Sequence, residues 1–136
     1  MDWVLDASIA LAWGLPDEGS HHADRFLSRI SEKDVLWVPS LWWYEVANAL
    51  ILVERRKRIT EADGIQLREL YEMLPIKTDT MIGLEMIERL RNLALEYNLS
   101  GYDAAYLELA LRKGLRLATL DQNLQSAAKK AGLATF

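Results

Sequence analysis

The sequence predicts an α/β protein, a three-layer α/β/α sandwich around a small, four- to five-stranded parallel sheet. Short apolar runs of strand character alternate along the chain with longer stretches of helical periodicity. Only 3 prolines and 7 glycines interrupt 136 residues, and no linker-like tract, repeat or low-complexity segment breaks the alternation. Strands this short, joined through helices, pair in parallel by right-handed crossovers, which places helices on both sheet faces. The length matches one compact domain, so a single domain over residues 1–136 is expected.

Trp3-Val4-Leu5 is short, apolar and ends in Asp6, the pattern of a buried strand followed by a turn. From Ser20 to Ile30, Ala23, Phe26, Leu27 and Ile30 recur at helical spacing behind a Ser cap. Val35-Leu36-Trp37-Val38 reads as a second strand closed by Pro39. Ser40 is then expected to cap a long helix from Leu41 to about Arg56, and Thr60 another to about Leu74. Pro75-Ile76-Lys77-Thr78 suits an edge strand, where proline's missing N–H does no harm. Ile82, Met86, Leu90 and Leu93 form a stripe on a helix expected over 81–97. A helix over 102–113 ends at Gly114, and Leu115 to Leu120 is a fourth strand. A short helix over 124–131 and a fifth strand over 133–136 complete the pattern.

Composition narrows the function. Hydrophobic residues make up 51% and charged ones 26%, as in an ordinary globular protein. With no cysteine there is no disulfide framework, thiolate metal site or cysteine nucleophile, which fits a reducing cytoplasm. No apolar run approaches the roughly 20 residues that span a membrane. Met1-Asp2-Trp3 carries no basic leader pattern, so a cytoplasmic protein is expected. Twenty acidic residues against 16 basic ones give a net charge of −4. Such a chain handles a polyanion only through a local basic patch or bound cations.

Chemistry gathers beyond the carboxyl ends of the strands in this fold class, and the acids are placed accordingly. Asp6 follows the first strand, Asp121 follows the fourth, and Asp103 begins the helix leading into it. Taken singly, each has an ordinary reading as a helix cap, and Ser100-Gly101-Tyr102-Asp103 matches a capping box. Glu45 resists that reading. It sits in Leu41-Trp42-Trp43-Tyr44-Glu45-Val46-Ala47-Asn48-Ala49-Leu50, apolar nearly all round and so expected to be buried. No Lys, Arg or His lies between Asp34 and Glu54 to neutralise it. A buried carboxylate must be protonated, paired or bound to a metal. Three Asp at the sheet's carboxyl edge and a Glu on a covering helix would meet in one pocket. Like charges packed together raise one another's pKa unless a cation intervenes. An all-oxygen set suits Mg²⁺ or Mn²⁺ rather than zinc, and the two histidines, His21 and His22, lie in one loop-to-helix segment. Such an ion makes an acidic pocket attractive to phosphate.

Four blocks carry a family likeness: Val4-Leu5-Asp6-Ala7-Ser8, Glu45-Val46-Ala47-Asn48-Ala49-Leu50, Tyr102-Asp103-Ala104-Ala105-Tyr106-Leu107 and Ala118-Thr119-Leu120-Asp121. In order and spacing they resemble the signature blocks of PIN-domain ribonucleases, most closely the VapC-type toxins of toxin–antitoxin pairs. The resemblance implies an endoribonuclease in which Asp6, Glu45, Asp103 and Asp121 hold one or two Mg²⁺ or Mn²⁺ ions. A metal-activated water then attacks an RNA phosphodiester, leaving a 5′-phosphate and a 3′-hydroxyl. It also implies a cognate antitoxin that docks on the Trp42 region and blocks the acidic site, and a homodimer. Ser8, Thr119 and Asn48 are placed to support ligands or substrate, or equally to cap and fill the core.

The run Glu54-Arg55-Arg56-Lys57-Arg58 reads either as a grip on RNA phosphates or as cations complementing a helix dipole. Trp42, Trp43 and Tyr44 are consecutive on one helix and cannot all face one core, so at least one covers a partner or base. Asp17, Asp24, Asp34, Asp63 and Asp79 read as surface acids or caps, Asp79 standing out because it follows a strand. Three alternatives compete. A receiver-like domain could phosphorylate Asp79 but finds no Lys over 133–136. A haloacid-dehalogenase-like phosphatase wants an Asp where Ser8 stands. A catalytically inactive PIN fold would only bind RNA or protein.

Overall fold

A computed structural model describes residues 1–15 and 20–136. Eleven elements alternate among these residues: β1 (Asp2–Leu5), α1 (Ala7–Ala12), α2 (His21–Arg29), β2 (Val35–Pro39), α3 (Ser40–Arg55), α4 (Glu61–Met73), β3 (Ile76–Asp79), α5 (Leu84–Tyr97), α6 (Gly101–Lys113), β4 (Arg116–Ala118) and α7 (Gln122–Lys130). All sheet pairings are parallel, in the order β3-β2-β1-β4. The chain winds outward from β1 through β2 to β3, then crosses back to place β4 on the far side of β1. That reversal brings α5 and α6 to the face opposite α3 and α4, and leaves a crevice between β1 and β4.

Helix α6 is the central packing element, burying Ala104, Tyr106, Leu107, Leu109 and Ala110 against β1, β2 and β4. Val4, Leu5, Leu36, Val38, Phe26, Trp42 and Leu124 complete a core without solvent access. Each such aliphatic side chain contributes roughly 1.5–3 kcal/mol of burial. Thr60 caps α4 through a reciprocal box with Asp63, Ser20 caps α2, and left-handed Gly114 ends α6.

Several expected boundaries move. The turn expected after Asp6 is instead the six-residue α1, whose Ile9 and Ala10 are fully buried. Pro39, not Ser40, is the N-cap residue of α3, and the Ser40 hydroxyl reaches back to the Asp79 carbonyl (3.4 Å). Gly83, at φ 126°, delays α5 until Leu84, so Ile82 leaves the helical stripe and is exposed. Pro75 lies just outside β3, although its carbonyl accepts a bond from the Leu36 N–H (2.9 Å). The fourth strand shrinks to three residues. The fifth reduces to one parallel bridge, Leu117 to Thr135, because β4 is too short to support a longer neighbour. Helix α3 departs most from expectation: only Trp42 and Val46 are buried, while Trp43 is 45% and Tyr44 76% exposed. An apolar composition on all sides here marks a surface that a partner can cover.

Candidate functional site

The crevice between β1 and β4 is stitched by two hydroxyls. Asp6 stands at the N-cap position of α1, yet its side chain makes no capping bond. Its Oδ2 instead accepts hydrogen bonds from Ser8 Oγ and Thr119 Oγ1, both at 2.7 Å. The same hydroxyls accept from the backbone beyond β4: Ser8 Oγ from the Leu120 N–H (3.0 Å), Thr119 Oγ1 from the Asp121 N–H (2.9 Å). The Asp6 N–H donates to the Ala118 carbonyl (3.0 Å). Ser8 and Thr119 therefore fix the Asp6 carboxylate and hold the segment bearing Asp121 beside it. Asp121 caps α7, its Oδ1 accepting from the Asn123 and Leu124 N–H groups (2.8 and 3.0 Å).

Asp103 enters from the first turn of α6. Its N–H donates to Ser100 Oγ (3.1 Å), but the return bond of a capping box does not form among the described residues. Glu45 enters from α3, its Oε1 accepting a short 2.5 Å hydrogen bond from the Tyr106 hydroxyl. Asp6, Glu45, Asp103 and Asp121, from four separate elements, all line one cavity of about 410 Å³.

Electrostatics follow from this crowding. Burial raises the Asp6 pKa above its ordinary value; the hydrogen bonds from Ser8 and Thr119 oppose that rise, and the Asp121 charge adds to it. Glu45 is raised by burial, opposed by the Tyr106 bond and pushed further by Asp6 and Asp103. Asp103 is raised by burial and by the charges of Asp121 and Asp6. A divalent cation relieves all three, and the donors are oxygens throughout, so the residues fit a hard ion. The expected tight convergence is not present: among the described residues no three acids or histidines close around one point. Mutual repulsion favours separation, and the Tyr106 bond holds the Glu45 carboxylate.

The family model for the PIN domain matches residues 3–130. The chain belongs to the PIN-domain family. A curated relative, Ribonuclease VapC3 from Pyrobaculum aerophilum, is 36% identical over 126 residues, covering 91% of this chain and 92% of that protein. The crystal structure of PAE2754 from the same organism superposes with a TM-score of 0.68 at 28% identity, covering 99% of this chain and 83% of that one. A toxin–antitoxin complex from Klebsiella pneumoniae shares the fold at a TM-score of 0.60 and 20% identity, covering 90% of this chain and 89% of that one. Within the PIN family, the likeness is to the VapC type.

Other expected residues of this PIN domain distribute unevenly. Asn48 is exposed on α3 and does not line the acidic cavity, standing about 60° from Glu45 on the side away from Ala49 and Val53. Asp79 is held by Arg112 in a two-pronged ion pair (3.1 and 2.7 Å), away from the four acids. Asp34 binds the amino terminus (2.6 Å) and Asp63 caps α4, while Asp17 lies outside the described residues. Two residues at the site escape sequence reasoning, one bonded to Glu45 and one lining the cavity. Tyr106 is not singled out by the sequence, yet it stands one turn after Asp103, and a buried phenol needs a hydrogen-bond acceptor, here Glu45. Arg56 reads as one of four interchangeable cations at a helix end, yet it lines the cavity.

Proposed function

We propose that this PIN-domain chain, acting as a single domain, is an endoribonuclease of the VapC type. It hydrolyses RNA phosphodiesters with a divalent cation, Mg²⁺ or Mn²⁺, held by Asp6, Glu45, Asp103 and Asp121. The supporting observation is that these four carboxylates, from distant parts of the chain, line one cavity, with the pKa values of Asp6, Glu45 and Asp103 raised. The VapC3 relative, named a ribonuclease, supports the same activity. When bound, the ion polarises the phosphodiester and acidifies the attacking water. Ser8 and Thr119 favour the ionised form of Asp6 and aim it; Tyr106 does the same for Glu45.

The biological role that fits is the toxin of a toxin–antitoxin pair, working in the cytoplasm. Among the described residues no helix is long and apolar enough to cross a membrane. Trp43, Tyr44 and Ile51, exposed on α3, offer an apolar face to an antitoxin, and a homodimer covers further apolar surface. The Klebsiella pneumoniae complex of the same fold agrees with a protein partner. Purified chain incubated with single-stranded RNA is expected to cut it with Mg²⁺ or Mn²⁺ and to stop when EDTA is added. Undiminished cleavage in EDTA would falsify the metal mechanism.

A further inference from the structure

One stripe of α3, continued by its C-cap residue, lines the acidic cavity: Glu45, Ala49, Leu52, Val53 and the C-cap Arg56, at spacings of four, three, one and three residues. Eleven residues separate its ends, three turns and a slight remainder, so Glu45 and Arg56 share a face about 16 Å apart along the axis. Ala49, Leu52 and Val53 lie between them as an apolar wall, which has nothing to offer a phosphate. Of the cations in the basic run, Arg56 alone is among the residues lining the cavity; the backbone turns left-handed at Lys57 (φ 57°), directing the chain elsewhere. Among the described residues Arg56 makes no ion pair, despite the acids on the same cavity wall. Its planar guanidinium is suited to gripping phosphate oxygens with two parallel bonds.

Building on the ribonuclease assignment of the acidic cavity, we propose that Arg56 binds a second backbone phosphate of the RNA strand. The strand runs along α3 from the acids to this arginine, with nucleoside between the two phosphates on the Ala49, Leu52 and Val53 wall. A lone mononucleotide cannot reach both ends, so the site favours a polynucleotide. In a chain of net charge −4, this single contact supplies local attraction that the overall field does not.

Anisotropy of a short fluorescein-labelled single-stranded RNA, followed across a KCl series in EDTA so that the strand stays intact, tests the assignment. Arg56→Ala is expected to weaken binding about tenfold. It should also flatten the slope of log Kd against log salt by about 0.7, the value of one phosphate contact on a single strand. Arg56→Lys should keep the slope, and Arg55→Ala should change neither quantity. With Mg²⁺ present, KM for cleavage should rise with Arg56→Ala while kcat stays within about twofold, the pattern of lost uniform binding. Parent-like binding and slope in Arg56→Ala, an equal loss in Arg55→Ala, or no binding by the parent at any salt each overturns the proposal. So does weakened antitoxin binding with RNA binding untouched. A parent that binds RNA through Arg56 but does not cut it sinks the ribonuclease assignment and leaves the phosphate contact standing.

Discussion

Asp6 and Asp79 occupy matching places in the sheet, one directly after β1 and the other at the last position of β3, yet their surroundings oppose each other. Burial acts to raise Asp79, but the hydrogen bonds and charge of Arg112 outweigh it and hold its pKa below the ordinary value. Arg112 also binds Glu108 through Nε (2.7 Å), so one guanidinium neutralises two acids. Asp6 receives hydroxyl and backbone donors but no cation among the described residues, has another carboxylate for a neighbour, and is raised. A strand-end acid matched by arginine is a fastener between β3 and α6. One left without a cation is available to an ion from solution.

The largest expected contrast is in cleavage. Asp6→Asn, Glu45→Gln and Asp103→Asn should each reduce metal-dependent RNA cleavage by at least about a hundredfold, more than loss of an outer partner commonly costs, with circular dichroism unchanged. Asp79→Asn should retain cleavage per folded molecule within a few-fold, and an equal collapse there would erase the distinction. Next comes metal-linked stability. Mg²⁺ at about a hundred times its Kd adds roughly 2.7 kcal/mol to a one-site protein, so the parent's Tm should rise by about 10 °C. Asp6→Asn and Asp103→Asn should show little of this rise, and a full rise in either would remove that residue from the ligand set. Arg112→Met should cost about 2 kcal/mol, between an exposed pair and a fully buried one, lowering Tm by about 8 °C. Rescue by Asp79→Asn in the same chain would identify the stranded acid as the cause.

The smallest effect is in pH dependence. A carboxyl whose folded pKa lies above its unfolded value favours folding below the unfolded pKa, and that contribution is lost as pH rises through the folded one. Without divalent ions, Asp6→Asn should therefore match the parent near pH 4 and exceed it at pH 8. A gap of about 4 °C corresponds to roughly 1 kcal/mol in a chain of this size. A gap that narrowed with rising pH would contradict the raised Asp6.

The alternation of elements was readable because strand and helix periods differ: β1, β2 and β4 carry apolar runs, while β3 is read from Pro75 at its edge. The meeting of Asp6 and Asp121 was readable from topology alone, since both follow strands flanking the switch in strand order. Local signals failed where the chain is short or its partner remote. Helix α1 has only six residues, too few for a periodic stripe to emerge. The apolar girth of α3 suggested burial, because composition does not distinguish a core helix from one with exposed apolar side chains. Ser8 and Thr119 are placed in the sequence to support ligands or to cap and fill the core; that both bind one oxygen of Asp6 is set by the register of β1 on β4.

That register has a bearing on synthesis. Asp6 waits 113 residues for the hydroxyl of Thr119, and β1 gains its β4 neighbour only after β2, β3 and the helices between have been made. Long sequence separation between partnered strands slows folding. A nascent polypeptide on the ribosome, or one truncated by premature termination, would carry the first three acids without Thr119 or the fourth. Destructive chemistry would thus be withheld until translation has passed Thr119 and Asp121, by the order in which the strands are threaded.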